Sequence, residues 1–263
     1  MSLKRRNLLC ILSLTAVLYL FGPLGGVRAQ DGTDAHKYEP PKHFNFLFPG
    51  DHHGGEAPPH PGTGWFALSC AQKVCHLLPV TLHATRQHDE VVDEDSSGET
   101  GIYLSSTGAA HPVFYVRGSW ARKRTVPQLF DNTGGSEPGF GYGSNAITLS
   151  YKGEPYTFES NLKGPPPLGE DGQPNLELPK GFALTLSRAG GKARQTIFAL
   201  PNGGNDAHAK LIWAGDLDGD GKLDFIVEAS DHYNVMVYTL CLSSLAQPGA
   251  VVGKAGWSVA TGC

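Results

Sequence analysis

The chain reads LIWAGDLDGDGKLDFIV from Leu211 to Val227, which places an acidic loop between two apolar runs. The runs, Leu211–Ala214 and Leu223–Val227, have the length and composition of short β-strands. Gly221 lies inside the loop and permits the positive φ that a tight turn needs. The stretch therefore predicts a β-hairpin with an acidic tip.

The hairpin tip spaces four aspartates as D-x-D-x-D-G-x-x-D, a pattern typical of calcium ligands. Ca²⁺ prefers oxygen ligands at alternate positions of a tight loop. Four acids this close repel one another unless a cation lies among them. The predicted ligands are the side chains of Asp216, Asp218, Asp220 and Asp224 and the backbone carbonyl of Lys222. We expect Ca²⁺ to stabilise the hairpin; the alternative is a solvated acidic turn that binds no metal.

The segment GDLDGDGKLDF, from Gly215 to Phe225, resembles the calcium loops of FG-GAP and VCBS-type repeats. Those loops are hairpins of integrin-like β-propellers and of many bacterial secreted proteins, so the resemblance implies a calcium-binding hairpin. It is limited to about residues 211–230, and the motif occurs once, whereas a propeller needs several blades. An EF-hand fits less well, because position twelve is Val227 and no helices are predicted on either side.

The N-terminus, residues 1–29, has the pattern of an export signal. Basic residues precede an apolar run from Leu8 to Phe21, and cleavage is expected before Gln30. An uncleaved membrane anchor is the alternative, but the run is short for a bilayer span. Cleavage removes four basic residues and no acids, which takes the formal charge from −4 to −8. We expect a secreted or periplasmic protein that does not bind nucleic acid, which requires clustered Lys and Arg.

Four cysteines remain after cleavage, and an oxidising compartment favours two disulfides among them. Of the three pairings we expect Cys70–Cys75 and Cys241–Cys263. Residues 65–70 and 75–80 predict strands around a four-residue turn, which sets Cys70 opposite Cys75. The second bridge would attach the C-terminal residue to a strand. A zinc site is the alternative for C-x4-C, but a second cysteine or histidine pair at zinc spacing is missing.

The whole chain predicts an all-β fold, either a β-sandwich or an open barrel of short antiparallel strands. Residues 30–64 are rich in Pro, Gly and His and predict an extended or disordered lead-in. Residues 65–263 are the predicted β domain, with hairpins around Lys152–Glu154 and Ala189–Lys192. The Pro-rich segment 161–180 is either a surface excursion or a boundary between two lobes.

The sequence leaves three hypotheses for function open. The leading one is a non-enzymatic exported module, binding or envelope-associated, with a protein or carbohydrate partner. The alternative is a secreted hydrolase with scattered catalytic residues, which a cleft holding a perturbed Asp, Glu or His pair would favour. A third is metal handling by the lead-in histidines His36, His43, His52, His53 and His60. The acidic stretch from Asp89 to Glu99 predicts only a solvated loop.

Overall fold

The structure is a computed structural model and describes residues 41–71, 74–95, 97–134, 139–144, 146–188, 193–204 and 206–262. These residues are almost entirely antiparallel β structure, with curled sheets that form a half-barrel. The strands are β1 (Phe46–Leu47), β2 (Gly50–His52), β3 (Gly62–Ala71), β4 (Val74–Gln87), β5 (Gly101–Thr107), β6 (Pro112–Val116), β7 (Arg124–Val126), β8 (Gln128–Asp131), β9 (Ile147–Tyr151), β10 (Glu154–Ser160), β11 (Phe182–Arg188), β12 (Ala193–Leu200), β13 (His208–Gly215), β14 (Asp224–Ser230), β15 (Val235–Leu242) and β16 (Gly253–Thr261). A short 3₁₀ turn, Ser243–Leu245, follows β15. The predicted all-β fold is confirmed.

The strands form three sheets, and the sheet that carries the acidic loop lies between the other two. The first sheet has the order β1-β6-β3-β4-β5-β2 with β7 also paired to β4, the second β16-β15-β14-β13-β8, and the third β12-β11-β10-β9. Trp213 of the second sheet stacks edge-on against Phe114 of the first, 5.5 Å between ring centroids. On the opposite face, Phe225 lies 5.0 Å from Phe158 of the third sheet. The second sheet is therefore buried on both faces. Its strands do not need to alternate apolar and polar residues, which explains the continuous apolar runs on either side of the loop.

Two predicted hairpins of the third sheet are confirmed by their pairing. In β9–β10, Tyr151 lies opposite Glu154, which leaves Lys152 and Gly153 as a two-residue turn. Both turn residues have positive φ, 49° and 81°, as a type I′ turn requires. In the other hairpin β11 pairs with β12, while its turn, residues 189–192, lies outside the described residues.

The Pro-rich segment 161–180 is a surface excursion of the third sheet. It leaves the end of β10 and returns to the start of β11, and these two strands are direct neighbours with Ser160 opposite Leu184. Leu168 and Leu176 within it are 71% and 69% exposed, while Leu178 is buried beneath the sheet. The segment therefore starts and ends in one sheet rather than separating two lobes.

The predicted lead-in, residues 30–64, is corrected over its second half. Residues 41–64 include β1, β2 and the start of β3, and they complete both edges of the first sheet. Phe46 and Leu47 are fully buried, and the Phe46 ring packs 5.7 Å from that of Phe114. The burial of these side chains offsets the weak local preference of a Pro- and Gly-rich segment. The predicted signal, residues 1–29, and residues 30–40 lie outside the described part of the chain.

The cysteines divide between a bridge at a hairpin neck and a buried thiol. Cys70 and Cys75 lie opposite each other in β3–β4 and form the predicted disulfide, with 4.0 Å between Cα atoms. Cys241 is a buried free thiol, and Cys263 lies outside the described residues. Thr261, at the end of β16, pairs with Val235 at the far end of β15 from Cys241. Six strand residues span about 20 Å, and the Cys241–Cys263 bridge stays a prediction.

Candidate metal centre

The acidic loop is the connection between β13 and β14, as predicted. Gly215 pairs with Asp224 and closes the hairpin at the base of the loop. Leu217 and Leu223 are both fully buried and anchor the loop in the two cores on either side of the second sheet. Gly219 and Gly221 have φ values of 78° and 87°, which turn the backbone between the aspartates.

Three of the four predicted carboxylates converge at the base of this loop. One oxygen each of Asp216, Asp218 and Asp224 lies within 4.8 Å of the other two. All three residues are buried, with exposures of 4%, 8% and 0%. Among the described residues, no other group of three or more His, Cys, Asp or Glu side chains meets this separation. The structure therefore assembles a compact oxygen-donor set from the predicted motif.

Asp220 and the Lys222 side chain lie outside the three-carboxylate cluster. Asp220 accepts hydrogen bonds from the Ser243 hydroxyl at 2.9 Å and lies 3.8 Å from the Lys222 ammonium group. Its side chain is 22% exposed, so it is more hydrated than the other three aspartates. Three of the four predicted aspartates thus meet, and Ser243 links Asp220 to Asp224 through two hydrogen bonds. The predicted ligation by the backbone carbonyl of Lys222 stays a prediction.

The Asp224 carboxylate is held by donors from two segments of the chain. One of its oxygens accepts the N–H groups of Leu217 and Asp218, at 2.8 and 3.2 Å. The other accepts the N–H group of Ser243 at 2.8 Å and its hydroxyl at 3.1 Å. These bonds fix the orientation of a fully buried acid, as outer-shell donors do for metal-binding carboxylates.

Asp216 differs from Asp224, because only one of its oxygens is bonded. Its Oδ2 accepts the Tyr151 hydroxyl at 2.8 Å and the Gly221 N–H group at 3.1 Å. Its Oδ1 is buried and has no hydrogen-bond partner. A buried, unpaired carboxylate oxygen carries a desolvation cost that a coordinated cation would remove. This orphaned oxygen is the feature of the structure that points most directly to a ligand.

The electrostatics of the cluster favour a cation. Burial, and then the charge of Asp218, raise the pKa of Asp224 to about 7, although the N–H group of Ser243 opposes the shift. Burial and the hydrogen bond to Asp216 also raise the pKa of Tyr151, so its hydroxyl stays a donor. Like charges in a desolvated site are unfavourable until an opposite charge neutralises them.

The donor chemistry limits the class of metal that fits. The three ligand atoms are carboxylate oxygens, without sulfur or nitrogen, a set that suits hard cations such as Ca²⁺ and Mg²⁺ rather than Zn²⁺ or Cu²⁺. The described residues therefore fit a divalent hard cation.

Sequence reasoning missed three side chains that complete the centre. Tyr151 comes from the β9–β10 hairpin, 65 residues before Asp216. Ser243 and Ser244 come from the 3₁₀ turn, and the Ser244 hydroxyl bonds the Asp218 carboxylate. An isolated tyrosine and a serine pair carry no local signal, so only the tertiary structure brings them to the loop.

Comparison with known proteins does not assign this centre. No known protein-family model, curated protein or solved structure matches it. The resemblance to FG-GAP and VCBS loops therefore rests on the loop's own residues. Within the described residues, no helix has the length and apolar character of a membrane span.

Proposed function

We propose that this is an exported β protein whose domain is stabilised by Ca²⁺ bound to Asp216, Asp218 and Asp224. The observation that carries the proposal is the buried three-carboxylate cluster with its orphaned Asp216 oxygen. The loop's resemblance to FG-GAP and VCBS calcium hairpins supports Ca²⁺ over Mg²⁺. Three carboxylates leave room in the coordination shell for backbone carbonyls and water, which Ca²⁺ accepts in its flexible geometry.

The bound cation would act on stability rather than on a substrate. The three aspartates are at least 92% buried, which leaves little surface for a substrate to reach the ion. The centre joins three segments through side-chain hydrogen bonds: the β9–β10 hairpin through Tyr151, the acidic loop itself, and the 3₁₀ turn through Ser243 and Ser244. Neutralising the carboxylates would strengthen the junction between the second and third sheets at this point.

Export is proposed on two features. The N-terminal pattern is that of a cleavable signal, and the Cys70–Cys75 disulfide suits an oxidising compartment. Extracellular calcium modules work with sites of about 10⁻⁴–10⁻³ M affinity. The proposed partner is a protein or a carbohydrate rather than nucleic acid, given the acidic charge of the mature chain. The proposal is a binding or envelope-associated module, secreted or periplasmic.

The test is the response of the mature protein, residues 30–263, to calcium. We expect EDTA to lower the melting temperature and excess Ca²⁺ to restore it. Ca²⁺ at a hundred times Kd stabilises a site by about 2.7 kcal/mol, or roughly 5–10 °C for a chain of this size. Asp218→Ala should abolish the response and leave the disulfide intact, while Asp171→Ala, in the exposed excursion, should not change it. An unchanged melting curve together with a flat calorimetric titration would refute the metal site.

The alternative function, a secreted hydrolase, has one specific observation in its favour. A cleft distant from the metal centre in the sequence holds a paired histidine and aspartate. Hydrolytic activity in this cleft would make the exported domain an enzyme and would leave the calcium proposal unchanged.

A further inference from the structure

A cleft of about 410 Å³ lies where the end of β2, the loop after β4 and the end of β16 meet. Its volume falls within the range of small-molecule sites, about 300–1,000 Å³. The titratable groups that line it are acids and imidazoles: Asp51, Glu56, Asp89, Glu90, His52, His53 and His88. Among the described residues the lining contains no Lys or Arg, so the cleft disfavours anionic ligands.

His53 and Asp89 form a tight pair in this cleft. The Nδ1 atom of His53 lies 2.7 Å from Oδ2 of Asp89, and the Asp89 side chain is only 4% exposed. The other oxygen of Asp89 accepts the N–H groups of Val91 and Val92 at 3.1 and 3.3 Å. Burial raises the pKa of Asp89, but the bonds from His53 and from these N–H groups lower it further, below its usual value.

An ionised Asp89 defines the tautomer of the His53 ring. A carboxylate can only accept, so Nδ1 of His53 carries the proton and donates it to Asp89. The basic lone pair is then on Nε2; the side chain as a whole is 22% exposed, and the backbone of Thr261 also interacts with the ring. A carboxylate behind an imidazole orients the ring and stabilises its protonated form, which is the relation that general bases use.

The surrounding residues hold this pair in place and leave a polar atom free. Glu56, 5% exposed, accepts the backbone N–H group of His53 at 3.1 Å, and its other oxygen accepts the backbone N–H and hydroxyl groups of Thr261 at 2.7 and 2.6 Å. The adjacent His52 is 92% buried, and its Nδ1 has no hydrogen-bond partner.

We propose that the cleft is a hydrolytic site in which His53, oriented by Asp89, acts as a general base on a water molecule. Among the described residues the lining holds no Ser or Cys, and the Thr261 hydroxyl is bonded to Glu56, so the proposed nucleophile is water. Nε2 takes one proton from the water molecule while the water oxygen forms a bond to the carbonyl carbon of the substrate. The bond from that carbon to the leaving oxygen then breaks, and the proton on Nε2 passes to that oxygen. Asp89 is a positioning residue: it orients His53 and forms or breaks no covalent bond.

The charge of the cleft defines the substrate class. With four acids and no Lys or Arg in the lining, a neutral or cationic substrate is favoured. The absence of a cationic side chain also leaves a developing oxyanion without that kind of stabilisation. An ester with a good leaving group therefore fits better than an amide.

The pH dependence of the reaction follows from the groups around His53. Burial lowers the pKa of His53, but Asp89, Glu56 and the backbone of Thr261 together raise it above 6.5. A general base must be unprotonated, so the rate should increase as pH increases through this raised pKa and then level off.

The test uses the mature protein in saturating Ca²⁺ with p-nitrophenyl acetate, a small neutral ester. We expect His53→Gln to reduce the protein-dependent rate by about 100-fold or more, within the range of general-base contributions. His83→Gln, an exposed imidazole on β4, is the matched control for unspecific surface catalysis and should retain the rate. Asp89→Asn should lower the rate and move its pH profile to lower pH. The anionic ester p-nitrophenyl hemisuccinate should react at least about tenfold more slowly than the neutral one.

Equal rates for wild type and His53→Gln would overturn the proposal. A His53→Gln variant with a lower melting temperature and an unchanged rate would also overturn it. The His53–Asp89 pair would then serve only to hold the end of β16 in place. Should that variant fail to fold, the wild-type pH profile decides: a rate without an inflection above pH 6.5 is incompatible with His53 as the base. Repeating the assay in EDTA below the melting transition separates this site from the metal centre, since the cleft should retain its activity there.

Discussion

The acidic loop and the His53 cleft both bury carboxylates, but the carboxylates of the two regions differ in their hydrogen-bond partners. In the cleft, Glu56 and Asp89 each have both oxygens bonded to protein donors. In the loop, Asp216, Asp218 and Asp224 face one another, and Asp216 leaves one oxygen unpaired. The two buried acids of the cleft thus have their hydrogen bonds satisfied within the protein, whereas the loop leaves one carboxylate oxygen unpaired in a cluster that fits a cation.

This difference explains why the two regions suggest different chemistry. A carboxylate paired with an imidazole can move a proton without any added group. Carboxylates that converge on one point instead repel each other and favour a positive ion among them. The burial of acids alone thus does not indicate their role. The role follows from the groups that pair with these acids.

Removing Asp224 should have the largest effect on the loop side of this comparison. Asp224→Ala leaves the N–H groups of Leu217, Asp218 and Ser243 without their acceptor in a buried site. Each unsatisfied buried donor costs about 1–3 kcal/mol, so we expect a loss of at least about 3 kcal/mol, measured by urea unfolding in EDTA. The same variant should not bind Ca²⁺ in a calorimetric titration.

Asp89→Ala is the matched variant on the cleft side. It also removes a buried acid, so it should lower stability, but its calcium titration should be that of the wild type. Weaker calcium binding by Asp89→Ala, or retained calcium binding by Asp224→Ala, would contradict this difference between the two regions.

The dependence of stability on pH should separate the two regions next. The pKa of Asp224 is raised from 3.8 to about 7, so its protonated form is favoured in the folded state without metal. The contribution of protonated Asp224 to the free energy of unfolding is present below pH 3.8 and is lost as pH increases towards about 7. At about 1.4 kcal/mol per pKa unit, this contribution is at most about 4 kcal/mol. Saturating Ca²⁺ keeps Asp224 ionised and should abolish this decline.

The cleft contributes a decline that calcium should not remove. The pKa of His53 is raised above 6.5, so its stabilising contribution is present below pH 6.5 and lost as pH increases through the folded-state value. Urea unfolding between pH 4 and 8, with EDTA or with Ca²⁺, measures both contributions. A metal-free protein whose stability stays constant between pH 4 and 7 would contradict the raised pKa of Asp224.

The parts of this molecule that depend on local sequence were predictable, and those that depend on distant contacts were not. The acidic hairpin, the hairpin at Lys152 and the Cys70–Cys75 bridge each lie within a few residues, where spacing determines geometry. By contrast, Tyr151 reaches Asp216 across 65 residues. His53 likewise reaches Asp89 across 36 residues, from a predicted lead-in to a predicted solvated loop. Sequence patterns record periodicity and turns, but they do not record which loops meet.

The smallest expected effect concerns the two aspartates that sequence and structure rank differently. The motif treats Asp216 and Asp220 as equivalent ligands, whereas the structure places Asp220 outside the cluster and 22% exposed. Asp220→Ala should therefore cost less than about 1 kcal/mol and weaken calcium binding only through the loss of its bonds to Ser243 and to the Lys222 N–H group. Asp216→Asn retains an acceptor for Tyr151 and Gly221, so it should change metal-free stability equally little but abolish calcium binding. Equal calcium affinities for these two variants would restore the fourth aspartate to the ligand set.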